Sequence, residues 1–215
     1  MVANPVPGLV LVAGGKYTTY RLMARDAVDA VVHGLDWRTP PSCTDRVPLA
    51  GADGYPALWN ARSRLATSSG LHVARIEHLL RRYGSLAREV LALIAADPGL
   101  GGPLAGADDY LRAEIVYAAS HEGARHLDDV LARRTHIALE TPDRGLATAE
   151  EAASLMAEPL RWDSGHTARE VEHYRAEVAA QRAAEEADSD AHADAIAGAV
   201  PDIVPVRTGV DAASH

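Results

Sequence analysis

Apolar residues recur at helical spacing through most of the chain after residue 57, and this pattern restricts the fold class more than any other feature. Leu71, Ile76 and Leu79, for example, share one face of a helix. The pattern predicts helices over roughly 57–67, 71–82, 85–96, 108–122, 125–133, 148–158 and 166–187. Only 5% of the residues are aromatic and none is Phe, so Leu, Val, Ile and Ala must form the core. We predict a mainly α chain, with a helical domain over residues 57–185.

A different pattern precedes this helical part. The apolar run 9–13 lies between two glycines and predicts a strand buried on both faces, as in a parallel sheet. A helix over about 18–33 is predicted next, with Gly34 ending it. A single strand cannot satisfy its own backbone hydrogen bonds. The strand–turn–helix unit of residues 1–36 therefore needs strands from elsewhere.

Two segments lack a regular apolar pattern. Residues 37–56 are rich in Pro, Gly, Asp and Thr, which predicts a connecting segment with one short strand at Arg46–Leu49. Residues 186–215 are acidic and rich in Ala, then interrupted by Pro and Gly, which predicts a mobile tail.

Two places in the helical part have the residues of helix N-caps. Asp108 and Asp109 are expected to cap the helix predicted there. Thr148 with Glu151, three residues later, predicts a capping box at the start of the helix over 148–158.

The turn between the first strand and the first helix contains the residue types of an anion-binding turn. Its residues are Gly14, Gly15, Lys16, Tyr17, Thr18 and Thr19. The glycines allow positive φ and close approach of a ligand, and free N–H groups at a helix start suit developing negative charge. Lys16 is the only lysine of the chain. The turn could hold the pyrimidine edge of a reduced flavin; a plain strand–helix turn with an exposed lysine is equally consistent with the residues.

The same stretch carries a resemblance to a known family. Residues 8–29, which include Gly-Gly-Lys-Tyr-Thr-Thr-Tyr-Arg, resemble the end of the FAD-binding domain in FAD-dependent glycerol-3-phosphate dehydrogenases. Further matches, similar in order and spacing to that family's C-terminal helical domain, are Ala113–Tyr117, His121–Glu122, Leu127–Thr135, Leu155–Ala157, Leu160 and Trp162. The resemblance covers roughly residues 5–185.

The resemblance implies a C-terminal helical domain preceded by a strand–turn–helix remnant of an FAD-binding α/β domain. Family members oxidise sn-glycerol 3-phosphate to dihydroxyacetone phosphate by hydride transfer to FAD and pass the electrons to quinone. On this basis FAD is expected to contact, at one edge only, Gly14, Gly15, Lys16, Tyr17, Thr18 and Thr19. Lys16 is also expected to bind the substrate. The resemblance assigns no catalytic residue and no metal ligand in this chain.

The sequence also departs from the family. The Gly-x-Gly-x-x-Gly that seats the FAD pyrophosphate is missing, since Gly99-Leu-Gly-Gly102 lacks the last glycine and follows a predicted helix. We therefore expect a fragment, a split-gene subunit or a truncated reading frame that is inactive alone. Its expected partner is the missing N-terminal half or a split subunit. The alternative is a non-catalytic helical module that pairs with a partner chain.

One short polar stretch invites a metal-site interpretation. Its residues are His121, Glu122, His126, Asp128 and Asp129. Histidines five residues apart lie about 140° apart on a helix, whereas a helical zinc site prefers a spacing of four. The stretch therefore predicts a capping or interhelical hydrogen-bond network, with Arg133 and Arg134 pairing with its carboxylates.

Charge and cysteine content limit location and partners. The formal net charge of −9 argues against a nucleic-acid partner, which requires a clustered basic face. Residues 61–88 nevertheless contain six Arg, and the face around Arg81 and Arg82 is either solvated or a docking surface for acidic or membrane-proximal partners. The single Cys43 and the lack of a signal-peptide pattern predict a cytoplasmic location. With the resemblance, this implies at most peripheral contact with the inner face of the membrane.

Overall fold

The computed structural model describes residues 2–33, 35, 39–201 and 203. Its N-terminal unit contains two antiparallel strands, β1 (Val2–Val6) and β2 (Leu9–Val12), followed by a 3₁₀ turn (Tyr17–Thr19) and helix α1 (Tyr20–Val32). The predicted strand and helix are therefore confirmed, whereas Gly34, expected to end the helix, lies outside the described residues.

The prediction that this strand is buried on both faces is wrong for this chain. Leu9, Leu11 and Val12 keep 44%, 50% and 43% of their surface exposed. Burial on both faces requires a helical layer on each side of a sheet, and α1 packs against a hairpin of only two strands. The ladder partner of β2 is β1 of the same chain, so part of its backbone is satisfied locally.

Nine further α-helices and a π-helical segment make up most of the rest of the described structure. The first four are α2 (Tyr55–Asn60), α3 (Arg62–Ser69), α4 (Val73–Tyr83) and α5 (Ala87–Ala96). They are followed by α6 (Arg112–Ser120), a π-helical segment (Asp129–Arg134) and α7 (Ile137–Glu140). The last three are α8 (Ala149–Leu160), α9 (Ser164–Glu185) and α10 (Asp190–Ala197). The predicted mainly α fold is confirmed.

These helices, here called the helical body, enclose two cores that share one helix. The first core contains apolar side chains of α2, α4 and α5, such as Leu79 and Val90. The second contains side chains of the π-helical segment, α7, α8 and α9, such as Leu131 and Met156. Helix α6 contributes Ala113 and Tyr117 to the first core and Ile115 and Ala118 to the second. It is therefore buried around most of its circumference, as a central helix must be.

The region before α6 differs from its prediction. Asp108 and Asp109 lie in a strand, β4 (Ala107–Leu111), which pairs with β3 (Pro103–Leu104), and they cap no helix. Helix α6 starts only at Arg112, where the Leu111 N–H donates to Glu114 Oε1 at 2.9 Å.

The predicted capping box at the start of α8 is also wrong. Thr148 Oγ1 donates to the carbonyl of Ala105 at 2.9 Å, and Glu151 Oε2 accepts from the Ala105 N–H at 2.8 Å. Both side chains thus bind the turn of the β3–β4 hairpin, which a capping box would not allow. The packing of Gly106 against Ala147 and Thr148 brings this turn within reach.

Two further segments differ in detail from their predictions. In the described part of 37–56 the short strand expected at Arg46–Leu49 is not formed. Helix α10, which the sequence did not predict, packs on α9 within the segment 186–215. Residues 202 and 204–215 lie outside the described ones, and mobility of the tail stays a prediction. Within the described ranges, no helix combines the length and the apolarity needed to cross a membrane.

Candidate functional site

The turn between β2 and α1 holds both of its glycines at positive φ. Gly14 has φ +79° and Gly15 has φ +108°. A Cβ atom on Gly15 would meet the flexible end of the Met23 side chain, and at this φ any L side chain is strained. A Cβ atom on Gly14 would meet no atom within 4 Å, so the backbone there borders open space. The second glycine is thus needed for its backbone conformation, and the first leaves an accessible backbone.

The residues after the glycines bring an amine, hydroxyl groups and an aromatic ring to the same open surface. Lys16 precedes the 3₁₀ turn, and its carbonyl accepts from Thr19 N at 2.9 Å and from Thr19 Oγ1 at 3.0 Å. Thr18 is exposed. The ring of Tyr17, 88% exposed, stacks on Tyr20 with 5.8 Å between ring centres. The six predicted residues therefore lie together, but the Thr19 hydroxyl is used to close the turn, which leaves Thr18 as the outward hydroxyl.

The surface around this turn is unusually apolar. Among the described residues, twelve of the thirteen exposed large hydrophobic side chains fall within residues 6–49, and Leu139 is the other. A groove of about 590 Å³ lies between α1 and residues 39–50, with Val28, Val47 and Leu49 in its walls and Cys43 exposed beside them. Apolar side chains that line an exposed groove in this way are typical of interaction surfaces.

A buried carboxyl group, that of Glu114, lies in the helical body within a segment that resembles the family. Glu114 is fully buried, and its carboxyl oxygens accept from His78 Nε2 at 3.0 and 3.1 Å and from Tyr83 Oη at 3.1 Å. Arg82 Nε lies 3.5 Å away. Burial, and then the charge of Glu114, raise the pKa of Tyr83, which keeps its hydroxyl a donor. Glu114 thus fixes α4 against the start of α6.

A second buried carboxyl group, beside the other core, likewise accepts hydrogen bonds that join neighbouring segments. Glu170 on α9 accepts from His126 Nδ1 at 2.8 Å, from His166 Nε2 at 3.2 Å and from the Leu127 N–H at 3.0 Å. Neither glutamate was predicted from the sequence. For the first of them the available signal was a charged residue within an apolar stretch, but each glutamate binds a histidine 36 or 44 positions earlier in the chain, which local spacing does not predict.

The polar stretch that invited a metal site forms the predicted hydrogen-bond network. Asp129 Oδ2 accepts from the N–H groups of Arg125 and His126 at 2.9 and 3.0 Å, while Arg133 pairs with Asp129 at 2.8 Å. Burial acts to raise the pKa of Asp129, but these donors outweigh burial, so the pKa is lowered. The capping network is therefore confirmed.

The other side chains of this polar stretch contact different partners. His121 stacks on Tyr117 with 4.6 Å between ring centres, while His126 is held by Glu170. Arg133 also pairs with Asp128, which confirms its expected carboxylate partners. Arg134 instead donates from Nε to the carbonyl oxygen of Glu122 at 3.0 Å.

Comparison with known proteins now places the chain. Residues 42–167 match the family model described as the C-terminal domain of alpha-glycerophosphate oxidase. The chain belongs to this family. The matched range covers the helical body from α2 to the start of α9 and begins after the Gly14–Thr19 turn.

Curated relatives extend the match beyond the family model. The chain is 51% identical over 180 residues to glycerol-3-phosphate dehydrogenase 2 of Mycobacterium tuberculosis (strain ATCC 25618 / H37Rv), which covers 84% of this chain and 31% of that protein. It is 33% identical over 172 residues to glycerol-3-phosphate dehydrogenase of Synechocystis sp., covering 79% and 30%. The mitochondrial glycerol-3-phosphate dehydrogenase of Bos taurus is 33% identical over 174 residues, covering 78% and 23%.

These relatives confirm the resemblance to glycerol-3-phosphate dehydrogenases on which the sequence analysis relied. The chain spans less than a third of the length of the curated relatives that it matches.

Proposed function

We propose that this chain forms one wall of the flavin site in an FAD-dependent glycerol-3-phosphate dehydrogenase. The observation that carries the proposal is the exposed turn Gly14–Thr19, where two glycines at positive φ lead directly into a lysine and a helix start. Membership of the family and the names of the relatives support the reaction class. The substrate is sn-glycerol 3-phosphate, and the product is dihydroxyacetone phosphate.

The residues of the turn fit the edge of a flavin. The open space beside Gly14 would admit a flat ring close to the backbone, and N–H groups at the start of a helical turn suit developing negative charge. Bound FAD would supply the hydride-accepting centre. The chain would contribute the backbone of Gly14, Gly15 and Tyr17, the charge of Lys16, and the hydroxyl of Thr18, while the Thr19 hydroxyl holds the turn in shape.

Lys16 has a second role in this proposal. A primary ammonium group is a compact point charge, which suits a phosphate or an anionic reduced flavin. Lys16 is exposed at the turn, and it is the only lysine in the sequence. We therefore place it at the junction of flavin and substrate, where it neutralises negative charge.

The apolar surface of residues 6–49 supplies the reason for a partner. Contact at one edge leaves most of a cofactor in water, and ligand sites in proteins bury most of the ligand surface. A flavin-binding polypeptide that covers the exposed side chains of β2 and α1 would enclose the cofactor. This chain alone is then expected to retain no FAD and to show no turnover. In the assembled enzyme the electrons pass to quinone, and contact with the membrane is peripheral.

Complementation tests the proposal directly. The chain is purified alone and after co-expression with the flavin-binding region of a glycerol-3-phosphate dehydrogenase, and the flavin spectrum and substrate-dependent reduction of a quinone analogue are recorded. We expect flavin retention and turnover only in the mixture. Lys16→Ala is expected to lower turnover, Lys16→Arg to restore part of it, and Arg88→Ala, an exposed control in the helical body, to change nothing. A complex without flavin would support the helical interaction module instead.

Peripheral contact with the membrane can be measured separately. The assembled complex is mixed with vesicles at low and high salt and centrifuged. Peripheral contact predicts co-sedimentation that high salt reverses, because electrostatic attraction to a charged surface is screened. Sedimentation that resists high salt would contradict a peripheral contact.

A further inference from the structure

One wall of the groove between α1 and residues 39–50 is a single face of α1. The residues that α1 contributes to this wall form two stripes, each with a spacing of four: Tyr20, Ala24 and Val28, and Arg21, Arg25 and Asp29. The opposite wall includes the exposed side chains of Val47 and Leu49. We call this feature the α1 groove. It combines apolar walls with one charged stripe.

The charged stripe has a positive end and a negative end. Arg25 donates to Asp26 at 2.7 and 3.0 Å, so its charge is neutralised within the chain. Among the residues that the structure describes, the side chains of Arg21 and Asp29 form no hydrogen bond and no ion pair, and Asp29 acts on Arg25 only through longer-range attraction. Eight residues of an α-helix separate the two free charges by about 12 Å along its axis.

Neither free charge stabilises α1 itself. Arg21 lies in the first turn, where the helix dipole favours an acidic residue, and Asp29 begins the last turn, where the dipole favours a basic one. The first turn of α1 contains no acidic residue, and its last turn contains no basic one. The apolar stripe beside these charges is also left in water, since Tyr20 and Val28 keep 47% and 56% of their surface exposed. Both stripes therefore suit a contact outside the described part of the chain.

We propose that the α1 groove binds an extended segment of the flavin-binding polypeptide, with an acidic residue at Arg21, an apolar residue at the centre and a basic residue at Asp29. In an extended chain, side chains at positions i, i+2 and i+4 share one face, and four residues span about 13 Å. This span matches the separation of about 12 Å between the two free charges. Complementary charges fix the register of the segment, while apolar contact supplies affinity.

The groove and the flavin turn are neighbours on the molecule. Arg21 lies two residues after Thr19, so a polypeptide that covers the turn reaches the groove without a gap. The docking rests on the proposed function, because that function requires a second polypeptide. It adds the chemistry by which the second polypeptide is recognised.

Charge reversal and its rescue test the docking. A fluorescein-labelled peptide, Thr-Glu-Thr-Val-Thr-Lys-Thr, is titrated with the whole chain and followed by fluorescence anisotropy. We expect Arg21→Glu to weaken its binding about fivefold or more, and a peptide with lysine in place of the glutamate to restore binding to that variant. Asp29→Lys should weaken binding of the first peptide similarly, and a peptide with glutamate in place of the lysine should restore it.

A matched control keeps net charge out of the comparison. Arg88→Glu makes the same change of charge at an exposed position of α5, and we expect it to weaken binding of the first peptide by less than about twofold. It should gain no affinity for the peptide with two lysines. Because each rescue peptide carries like charges at both ends, its binding does not depend on the direction in which it runs. Thermal unfolding of each variant checks that the fold is intact.

Complementation separates the docking from the flavin function. The groove variants are co-expressed with the flavin-binding region, and capture, flavin content and turnover are recorded. We expect Asp29→Lys, at the far end of α1 from the turn, to lower capture about fivefold. Unchanged capture by both groove variants, with flavin and turnover retained, would overturn the docking alone. Capture that depends on both groove residues, in a complex without flavin, would instead overturn the flavin function and support the docking.

Three further results would overturn the docking. One is no binding of the first peptide to the unmodified chain, and another is an equal loss of binding in Arg21→Glu and Arg88→Glu. The third is self-association of the chain that Arg21→Glu abolishes, which would assign the groove to a second copy.

Discussion

The N-terminal unit and the helical body use their apolar residues in opposite ways. In the helical body, side chains such as Leu79 and Met156 are fully buried in two cores. In the N-terminal unit, β2 and α1 leave their large apolar side chains largely exposed, for example Leu11 and Val28. The first arrangement buries its apolar side chains within the chain itself, whereas in the proposed function the second is covered by another polypeptide. One chain can therefore combine a self-contained hydrophobic core with apolar surface that is left exposed.

The largest effect is expected from removal of a buried carboxyl group in the helical body. Glu114→Ala leaves the donors of His78, Tyr83 and the Leu111 N–H without an acceptor inside the helical body. We expect the free energy of unfolding to fall by about 3 to 5 kcal/mol. Urea unfolding followed by circular dichroism measures it. Glu172→Ala, an exposed change on α9, is the control, and similar losses in both variants would deny Glu114 a structural role.

A pair of leucine substitutions tests the difference in burial between the two regions. Leu79→Ala empties a fully buried position, and we expect a loss of about 2 to 5 kcal/mol. Leu11→Ala alters a half-exposed position, and we expect a change below about 0.5 kcal/mol in the isolated chain. The same Leu11 variant should weaken capture of a co-expressed flavin-binding polypeptide in a pull-down. A large loss of stability from Leu11→Ala would show that the N-terminal unit is already packed.

A smaller effect is expected at the hairpin that the sequence did not predict. Thr148→Val removes the donor to the Ala105 carbonyl and keeps the side-chain shape, so we expect a loss of about 1 kcal/mol. Ser154→Ala, whose hydroxyl binds a carbonyl on the exposed side of α8, is the matched control and should cost less. Unfolding by urea distinguishes them, and a reversed order would deny the Thr148 hydroxyl a role in holding the hairpin.

The smallest effect concerns pH. Burial acts to raise the pKa of Asp129, Asp143 and Glu151, but backbone N–H donors, together with Arg133 beside Asp129 and Arg112 beside Glu151, outweigh burial, so each pKa is lowered. A lowered folded pKa contributes stability above the ordinary values of 3.8 for Asp and 4.5 for Glu, and this contribution is lost as pH falls through the lowered values. The urea concentration at the unfolding midpoint should therefore decrease as the pH is lowered below about 4.5. The decrease should be less steep in Asp129→Asn. An identical slope in the variant would exclude Asp129 as a contributor.

The sequence predicted the parts of the fold that depend on local pattern. Helices α4 and α5 lie within two residues of the ranges predicted from apolar spacing, and β2 and α1 flank the predicted turn. What could not be predicted depends on contacts between distant residues. The β3–β4 hairpin is held by Thr148 and Glu151, some forty positions later, so the acidic residues in β4 resembled helix caps.

In the candidate site, too, some features follow from local sequence and others depend on contacts that the sequence does not show. The glycines and Lys16 form a local sequence pattern, and the structure brings them to one open surface. Their contact with FAD stays a prediction, because it requires a cofactor and a second polypeptide surface. The role of Thr19 in closing the turn follows from a hydrogen bond to the backbone, and the spacing of the two threonines does not determine which of them faces outward.

The position of α6 between the two cores has a consequence for how the molecule melts. Since Ala113 and Tyr117 belong to one core and Ile115 and Ala118 to the other, neither core can come apart while its neighbour keeps α6 intact. The helical body should consequently unfold in a single calorimetric transition, with equal van't Hoff and calorimetric enthalpies. A ligand or partner that binds α4 alone would then raise the melting temperature of α8 and α9 as well, although it touches neither.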